Sequence, residues 1–156
     1  MPLDNPGVRF PPPLLFVIAM LAGWLLNRQW PLLIAAEGRS MAQLAAGGIL
    51  VVAALALAFW AISTFRRWKT AVIPRRAATR IVQDGPFAYT RNPMYVGMTT
   101  LTIGVSLLFN TWWVLLMLPL VLTVLVLTVV RREEAYLTDA FPDDYRAYCA
   151  RVRRWI

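Results

Sequence analysis

The chain has 156 residues, of which 59% are apolar and only 15% are charged, and it contains no histidine. This composition is typical of a protein whose main solvent is lipid, and the length suits one domain, residues 1–156. The lack of histidine excludes histidine-based acid–base catalysis and most zinc sites. The net charge of +8 fits binding to anionic lipid headgroups better than binding to nucleic acid.

The first two apolar segments predict two transmembrane helices. One covers about residues 14–30 and the other about residues 41–65, and each is long enough for an α-helix to cross a bilayer. A secretory signal peptide is an alternative interpretation of the first segment, with Ala35 and Ala36 as small residues for cleavage. Its basic region is weak and its apolar run is longer than usual, so the transmembrane interpretation is favoured.

A later apolar run is too long for one crossing and predicts two further spans. Asn110 and Thr111 divide this run into segments at about 95–109 and 112–130. Because only these two polar residues separate the segments, the helices should form a tight hairpin. Together the four segments predict an all-α integral membrane fold with four transmembrane helices.

The basic residues indicate the orientation of these spans. Of the 16 in the chain, 14 fall ahead of the first span, in the loop at 66–94 or in the tail at 131–156, and only Arg28 and Arg39 lie on the opposite side. Positive residues are retained on the cytoplasmic side of membranes. We therefore expect both termini, the long loop and the tail in the cytoplasm, with the chain in the inner membrane of a bacterium.

The tail predicts an interfacial helix. After Pro142, six residues with apolar or aromatic character recur at helical spacing, and they are Tyr145, Tyr148, Cys149, Val152, Trp155 and Ile156. A helix with one such face lies on the membrane surface. It serves either as an anchor alone or as a lid over a polar site, and the sequence leaves both roles open.

Two polar clusters interrupt the apolar pattern and should meet at one membrane surface. The first is the proline-broken segment 85–97, and the second is residues 131–134, two arginines followed by two glutamates. Charged groups beside lipid are costly without a partner, so their convergence indicates a site for a polar molecule. The alternative is that the arginines and tyrosines only snorkel to the interface, where the glutamates neutralise them.

These clusters carry a resemblance to a known family. Between about residues 70 and 155 the chain resembles the integral membrane methyltransferases that include isoprenylcysteine carboxyl methyltransferase and phosphatidylethanolamine N-methyltransferase. The matching elements, in the family's order and spacing, are Gly85-Pro86-Phe87, Arg91-Asn92-Pro93-Met94-Tyr95-Val96-Gly97, Glu133-Glu134, Leu137, Phe141, Tyr145, Tyr148 and Val152. The chain departs from the family at Asn92, a common histidine, at Pro142, a common glycine, and at Arg153, a common proline.

The resemblance implies a methyl donor, S-adenosylmethionine, and a cytosol-facing site. The residues that would line the donor pocket are Gly85, Pro86, Asn92, Tyr95, Glu133 and Glu134. Arg91 and Glu134 would be catalytic, with Arg91 orienting an anionic acceptor and the glutamates holding the donor or taking a proton from an amine. Arg131 and Arg132 are looser matches for substrate binding, and no metal is required.

The function implied by the resemblance is methyl transfer from S-adenosylmethionine to a lipophilic or membrane-embedded acceptor, similar to isoprenylcysteine carboxyl O-methylation. A phospholipid amine and a small thiol are alternative acceptors. A membrane reductase with a nicotinamide cofactor and a non-catalytic scaffold are alternatives from other classes. Cys149 is interpreted as a packing residue, because no base lies near it in the sequence.

Overall fold

The computed structural model describes residue 7, residues 10–68 and residues 80–156. Over these residues the chain is all-α, with six α-helices, a 3₁₀ turn, a π turn and no β-strand. The all-α prediction is therefore confirmed. Part of the predicted loop at 66–94 lies outside the described residues. So do four of the basic residues used to predict the orientation, which are Arg9, Lys69, Arg75 and Arg76.

Four long helices cover the four apolar segments. They are α1 (Pro12–Gln29), α2 (Met41–Arg67), α3 (Pro93–Phe109) and α4 (Trp112–Leu125). The last of them, α4, continues through a π turn, Val126–Val130, into a more polar helix, α5 (Arg131–Ala140). Prolines open α1 and α3, where their missing N–H groups cost nothing.

Two helices in the described part of the chain are long and apolar enough to cross a membrane, namely Met41–Arg67 and the continuous helix Trp112–Ala140. α3 is apolar as well but shorter, with 17 residues. Large apolar side chains such as Ile49, Phe59 and Leu120 are exposed on the outer surface of the helices. An extensive exposed apolar surface is expected where lipid surrounds a protein.

Small residues allow the helices to approach each other closely. α2 packs along α3, and a Cβ atom added at Gly104 would lie 2.9 Å from the carbonyl oxygen of Gly47. α1 packs against α4, where a Cβ atom at Gly23 would lie 2.8 Å from the backbone nitrogen of Val114. Larger side chains at these glycines would push the helices apart.

The main core lies between α1, α3 and α4. Its buried members are Phe16, Ala19, Tyr95, Leu118, Val121, Leu125, Val129 and Val130. Trp155, from the end of the chain, packs against this cluster. The tail is therefore joined to the core of the helical bundle.

The last helix, α6 (Pro142–Arg151), corrects the alternative in which its apolar face only anchors it to the membrane surface. Tyr145, Tyr148 and Val152 were assigned to a face on the membrane surface, but they are buried in a cluster that includes Ile81. The face packs on protein because α6 folds back over the chain that precedes α3. Helical spacing alone predicts an apolar face but not what covers it.

Candidate active site

The candidate site begins at a 3₁₀ turn, Gly85–Ala88, that rests on the end of α2. Gly85 has a φ of +59°, and a Cβ atom there would lie 2.7 Å from Thr64 Oγ1 and 3.1 Å from Trp60 Nε1. Glycine suits both this left-handed backbone and this close approach. Pro86 is fully buried. Gly85 and Pro86 thus hold the turn against the end of α2.

The turn is also joined to α6. The ring of Phe87 packs on Phe65 of α2, with ring centroids 4.7 Å apart. The Phe87 carbonyl oxygen accepts a 2.7 Å hydrogen bond from the hydroxyl of Tyr148. Burial raises the pKa of Tyr148 above its ordinary value, so its hydroxyl stays protonated as the donor. The end of α2, the turn and α6 therefore meet in one place.

The segment that leads into α3 is held by the end of the chain, residues 152–156, which we term the C-terminal strap. The backbone N–H of Arg91 donates to the carbonyl oxygen of Arg153 at 3.0 Å. The side-chain amide of Asn92 donates to the carbonyl oxygen of Arg154, also at 3.0 Å. The strap thus fixes two neighbouring residues that the sequence assigned to the site.

Arg91 is the central side chain of the site. Its Nη1 lies 2.8 Å from Cys149 Sγ, 3.3 Å from Tyr145 Oη and 3.4 Å from Glu134 Oε1. Its Nε is buried and has no hydrogen-bond partner in the described part of the chain. The protein therefore holds the guanidinium through Nη1, while its Nε lacks an acceptor among these residues. Cys149, interpreted from the sequence as a packing residue, contacts this group directly.

Glu134 lies between two arginines. Arg154 holds both of its oxygens, with Nε 2.8 Å from Oε1 and Nη2 2.7 Å from Oε2. Arg91 approaches Oε1 from the other side at 3.4 Å. The sequence analysis missed Arg154, since nothing in the pattern of the tail distinguished it from Arg151 or Arg153. Only its pairing across the fold identifies it.

Glu133 has a different partner from its neighbour. The Tyr95 hydroxyl donates a 2.9 Å hydrogen bond to Glu133 Oε1, which lies in α5 beyond the apolar part of the preceding helix. The pKa of Glu133 is raised to about 7, and burial is the largest cause. The hydrogen bond from Tyr95 lowers this pKa, and the negative charge of Glu134 raises it. A carboxyl group that titrates near neutral pH is suited to accept a proton from a bound molecule.

The two polar clusters do converge, as the sequence predicted, through the contact between Arg91 and Glu134. Arg131 and Arg132 do not take part in that contact. Both are exposed on α5, and Arg132 Nη1 donates to the carbonyl oxygen of Gly7 at 3.1 Å. The structure therefore separates these two arginines from the paired charges.

Two guanidinium groups contact the carboxyl group of Glu134, a tyrosine hydroxyl lies 3.3 Å from one of them, and the neighbouring carboxyl group of Glu133 is paired with a second tyrosine. Such a set can bind a ligand that carries both positive and negative groups, and one carboxyl can accept a proton. Among the residues that the structure describes, no group of three cysteine, aspartate or glutamate side chains is placed to hold a metal ion.

The profile of the phospholipid methyltransferase family matches residues 42–144. A protein from Schizosaccharomyces pombe (strain 972 / ATCC 24843), protein-S-isoprenylcysteine O-methyltransferase, is 36% identical over 72 residues, which are 46% of this chain. The aligned part covers 30% of the length of that relative. No solved structure matches the chain.

Proposed function

Because the chain belongs to the phospholipid methyltransferase family, we propose that it transfers a methyl group from S-adenosylmethionine to a lipophilic acceptor. The acceptor that the site supports best is a carboxylate. This agrees with the relative named as an isoprenylcysteine O-methyltransferase, of which the chain matches a part. The whole chain, residues 1–156, would act as one membrane domain.

The proposal places all four long helices across the bilayer. α1 and α3 have 18 and 17 residues. At about 1.5 Å per residue they span about 25 to 27 Å, close to the roughly 30 Å of a hydrocarbon layer. The excess of basic residues in the loop at 66–94 and in the tail supports a cytoplasmic location for the end of the bundle that carries the candidate site, at a bacterial inner membrane. A lipophilic acceptor would then reach the site from the surrounding lipid.

The observation that carries the proposal is the unpartnered Nε of Arg91. Its Nη1 is engaged by three protein groups, whereas its Nε is buried without a partner. A buried donor without an acceptor costs about 1 to 3 kcal/mol, so a ligand that supplies an acceptor there gains that much. A carboxylate matches a guanidinium edge with two parallel hydrogen bonds, which an amine cannot do.

The residues around Arg91 also fit the donor. S-adenosylmethionine carries a carboxylate as well as an ammonium and a sulfonium, and the glutamates beside Arg91 and Arg154 offer charges of both signs. Gly85, Pro86, Asn92 and Tyr95 complete the proposed donor pocket. When bound, the donor would supply a methyl group attached to a positively charged sulfur. A carboxylate oxygen would bond directly to this methyl group, and the sulfur would keep the electron pair of the broken carbon–sulfur bond. The protein then needs to align the two molecules and exclude water.

A second candidate, transfer to a phospholipid amine, is favoured by Glu133. A protonated amine must lose a proton before its nitrogen can accept a methyl group, whereas a carboxylate need not. Burial raises the pKa of Glu133 to about 7, which suits a base for that proton. Arg131 and Arg132 remain candidates for contacting an anionic headgroup from their exposed positions.

The test is a transfer assay with the purified protein in lipid nanodiscs. The protein is incubated with methyl-labelled donor and, separately, with a prenylated cysteine carboxylate, phosphatidylethanolamine and a lipophilic thiol. We expect label on the carboxylate, recognised because base releases it from a methyl ester as methanol. Arg146→Gln, which removes an exposed charge on α6, serves as the control variant and should transfer label normally.

Each result decides between the candidates. Base-stable label on the phospholipid alone would replace the carboxylate with an amine as acceptor. Calorimetry that detects no binding of donor or of its demethylated product to folded protein would refute the methyltransferase proposal.

A further inference from the structure

We infer that Arg154 is a positioning residue, which sets the orientation of Glu134 and couples the C-terminal strap to the candidate site. This inference rests on the proposed function, because it assigns Arg154 a part in binding the methyl donor. Neither the family profile, which ends at residue 144, nor the spacing of residues in the tail points to it.

The contact with Glu134 uses both oxygens of the carboxylate. Arg154 Nε and Nη2 lie 2.8 Å and 2.7 Å from Oε1 and Oε2. Two parallel hydrogen bonds between a planar guanidinium and a carboxylate fix the plane of the carboxylate, which a single contact does not. Arg91, at 3.4 Å from Oε1, adds charge but does not set that plane.

The backbone of Arg154 is equally engaged. Its carbonyl oxygen accepts hydrogen bonds from Asn92 Nδ2 at 3.0 Å and Thr90 Oγ1 at 3.2 Å. The Thr90 hydroxyl oxygen in turn accepts a 3.2 Å hydrogen bond from the Asn92 backbone N–H. One residue of the strap therefore orients both a carboxylate and an amide of the proposed donor pocket.

The strap is held on both sides of Arg154, which distinguishes this pair from an ordinary surface ion pair. Val152 is buried with the tyrosines of α6, and Trp155 packs against the main core. The Arg154 side chain is 41% exposed, while that of Glu134 is only 19% exposed. Exposed ion pairs contribute little to stability, so the consequence of this pair lies mainly in the geometry it imposes on Glu134.

The experiment compares donor KM and kcat in Arg154→Gln and Arg154→Lys, using the acceptor that the wild type methylates. We expect Arg154→Gln to raise the donor KM about tenfold or more, with kcat reduced less than about threefold. Arg154→Lys should raise KM nearly as much, because an ammonium keeps the charge but cannot hold both oxygens. Arg146→Gln, an exposed arginine of α6, should leave both constants unchanged.

A double-mutant cycle separates positioning from a general structural role. In a Glu134→Gln background, Arg154→Gln should change the donor KM by less than about twofold, since the group it positions is already altered. Thermal unfolding of each variant checks that it is folded, and Arg154→Lys replaces Arg154→Gln if the latter is not. Donor KM values within twofold of wild type in both Arg154 variants, or effects that multiply in the double variant, would overturn the inference. A wild type that binds donor and transfers no methyl group to any acceptor, or binds none, refutes the proposed function and this inference with it.

Discussion

At the scale of single residues, Arg91 combines a donor that the protein satisfies with one that it does not. A guanidinium has five N–H donors and cannot lose its charge in a protein. The protein engages Nη1 with Tyr145, Cys149 and Glu134 but leaves the buried Nε without an acceptor in the described part of the chain. In the proposed function, the unpartnered Nε, more than the charge, would let Arg91 select a planar anion.

Replacing Arg91 by lysine should therefore separate catalysis from donor binding. We expect Arg91→Lys to keep the donor affinity within a few fold, while methyl transfer falls about 100-fold or more, or about 2.7 kcal/mol in the barrier. Lysine supplies charge without the two-pronged geometry. Donor affinity by calorimetry and single-turnover rates are measured on one preparation. Near-normal turnover would show that Arg91 does not orient the acceptor.

Glu133 should make the stability of the protein depend on pH. In the folded protein burial raises its pKa to about 7 from an ordinary value of 4.5. Between these values the folded state binds more protons than the unfolded state, so stability falls as the pH rises towards 7 and the loss is complete above it. Below about pH 4.5 both states are protonated and this group contributes no such cost.

Glu133→Gln tests this sign, because glutamine still accepts the hydrogen bond from Tyr95 but cannot ionise. We expect the variant to unfold at a temperature at least about 2 °C above wild type at about pH 8, and at nearly the wild-type temperature at about pH 4.5. Asp143→Asn, which neutralises an exposed carboxylate on α6, is the matched control and should show no such pH-dependent difference. An equal shift at both pH values would contradict the assignment.

At the scale of elements, the turn between α3 and α4 depends on one asparagine. Asn110 has a left-handed backbone with φ of +55°, and its side chain bonds to both the N–H and the carbonyl oxygen of Ala35 at 2.9 Å. It also accepts a 3.0 Å hydrogen bond from Gln43. Asparagine is one of few residues that tolerates this conformation while offering both a donor and an acceptor.

Two substitutions of Asn110 should separate the backbone requirement from the hydrogen bonds. Asn110→Ala loses the side-chain bonds and strains the turn, which we expect to cost about 2 to 4 kcal/mol of stability. Asn110→Gly loses the same bonds but adopts the turn freely, so it should cost about 1 kcal/mol less. Thermal unfolding in detergent gives the order. A glycine variant less stable than the alanine variant would contradict this account of the turn.

Another element-scale feature is the π turn at Val126–Val130, which precedes the glutamates. One extra residue in a helix rotates everything after it by about 100° relative to an unbroken α-helix. This rotation contributes to the direction in which Glu133 and Glu134 leave the bundle. It is not encoded in the apolar pattern, which continues unchanged through the turn.

At the scale of the whole molecule, the proposed membrane orientation can be tested directly. A cysteine introduced at Glu37, exposed in the connection between α1 and α2, should react with an impermeant reagent from outside intact cells. A cysteine at Asp143, exposed on α6, should react only after the cells are permeabilised. Both variants carry Cys149→Ala. Labelling of Glu37→Cys from the cytoplasmic side alone would contradict a membrane fold with four spans in this orientation.

Much of the architecture was predictable because it follows from local properties. The all-α class and the positions of the long helices follow from apolar runs bounded by prolines and polar residues, which each segment carries by itself. The meeting of Arg91 with Glu134 could be predicted because both clusters leave the apolar runs at the same end of the bundle. The family could be predicted because several separated motifs match it in order and spacing.

Other features needed the tertiary structure, because they join residues far apart in the chain. The sequence offered no reason to select Arg154 over its neighbours, since its contact with Glu134 depends on how α6 folds back and where the strap then runs. The face of Tyr145 and Tyr148 meets protein instead of lipid for the same reason. Helical periodicity shows that a face must be covered, but the packing of distant elements decides by what.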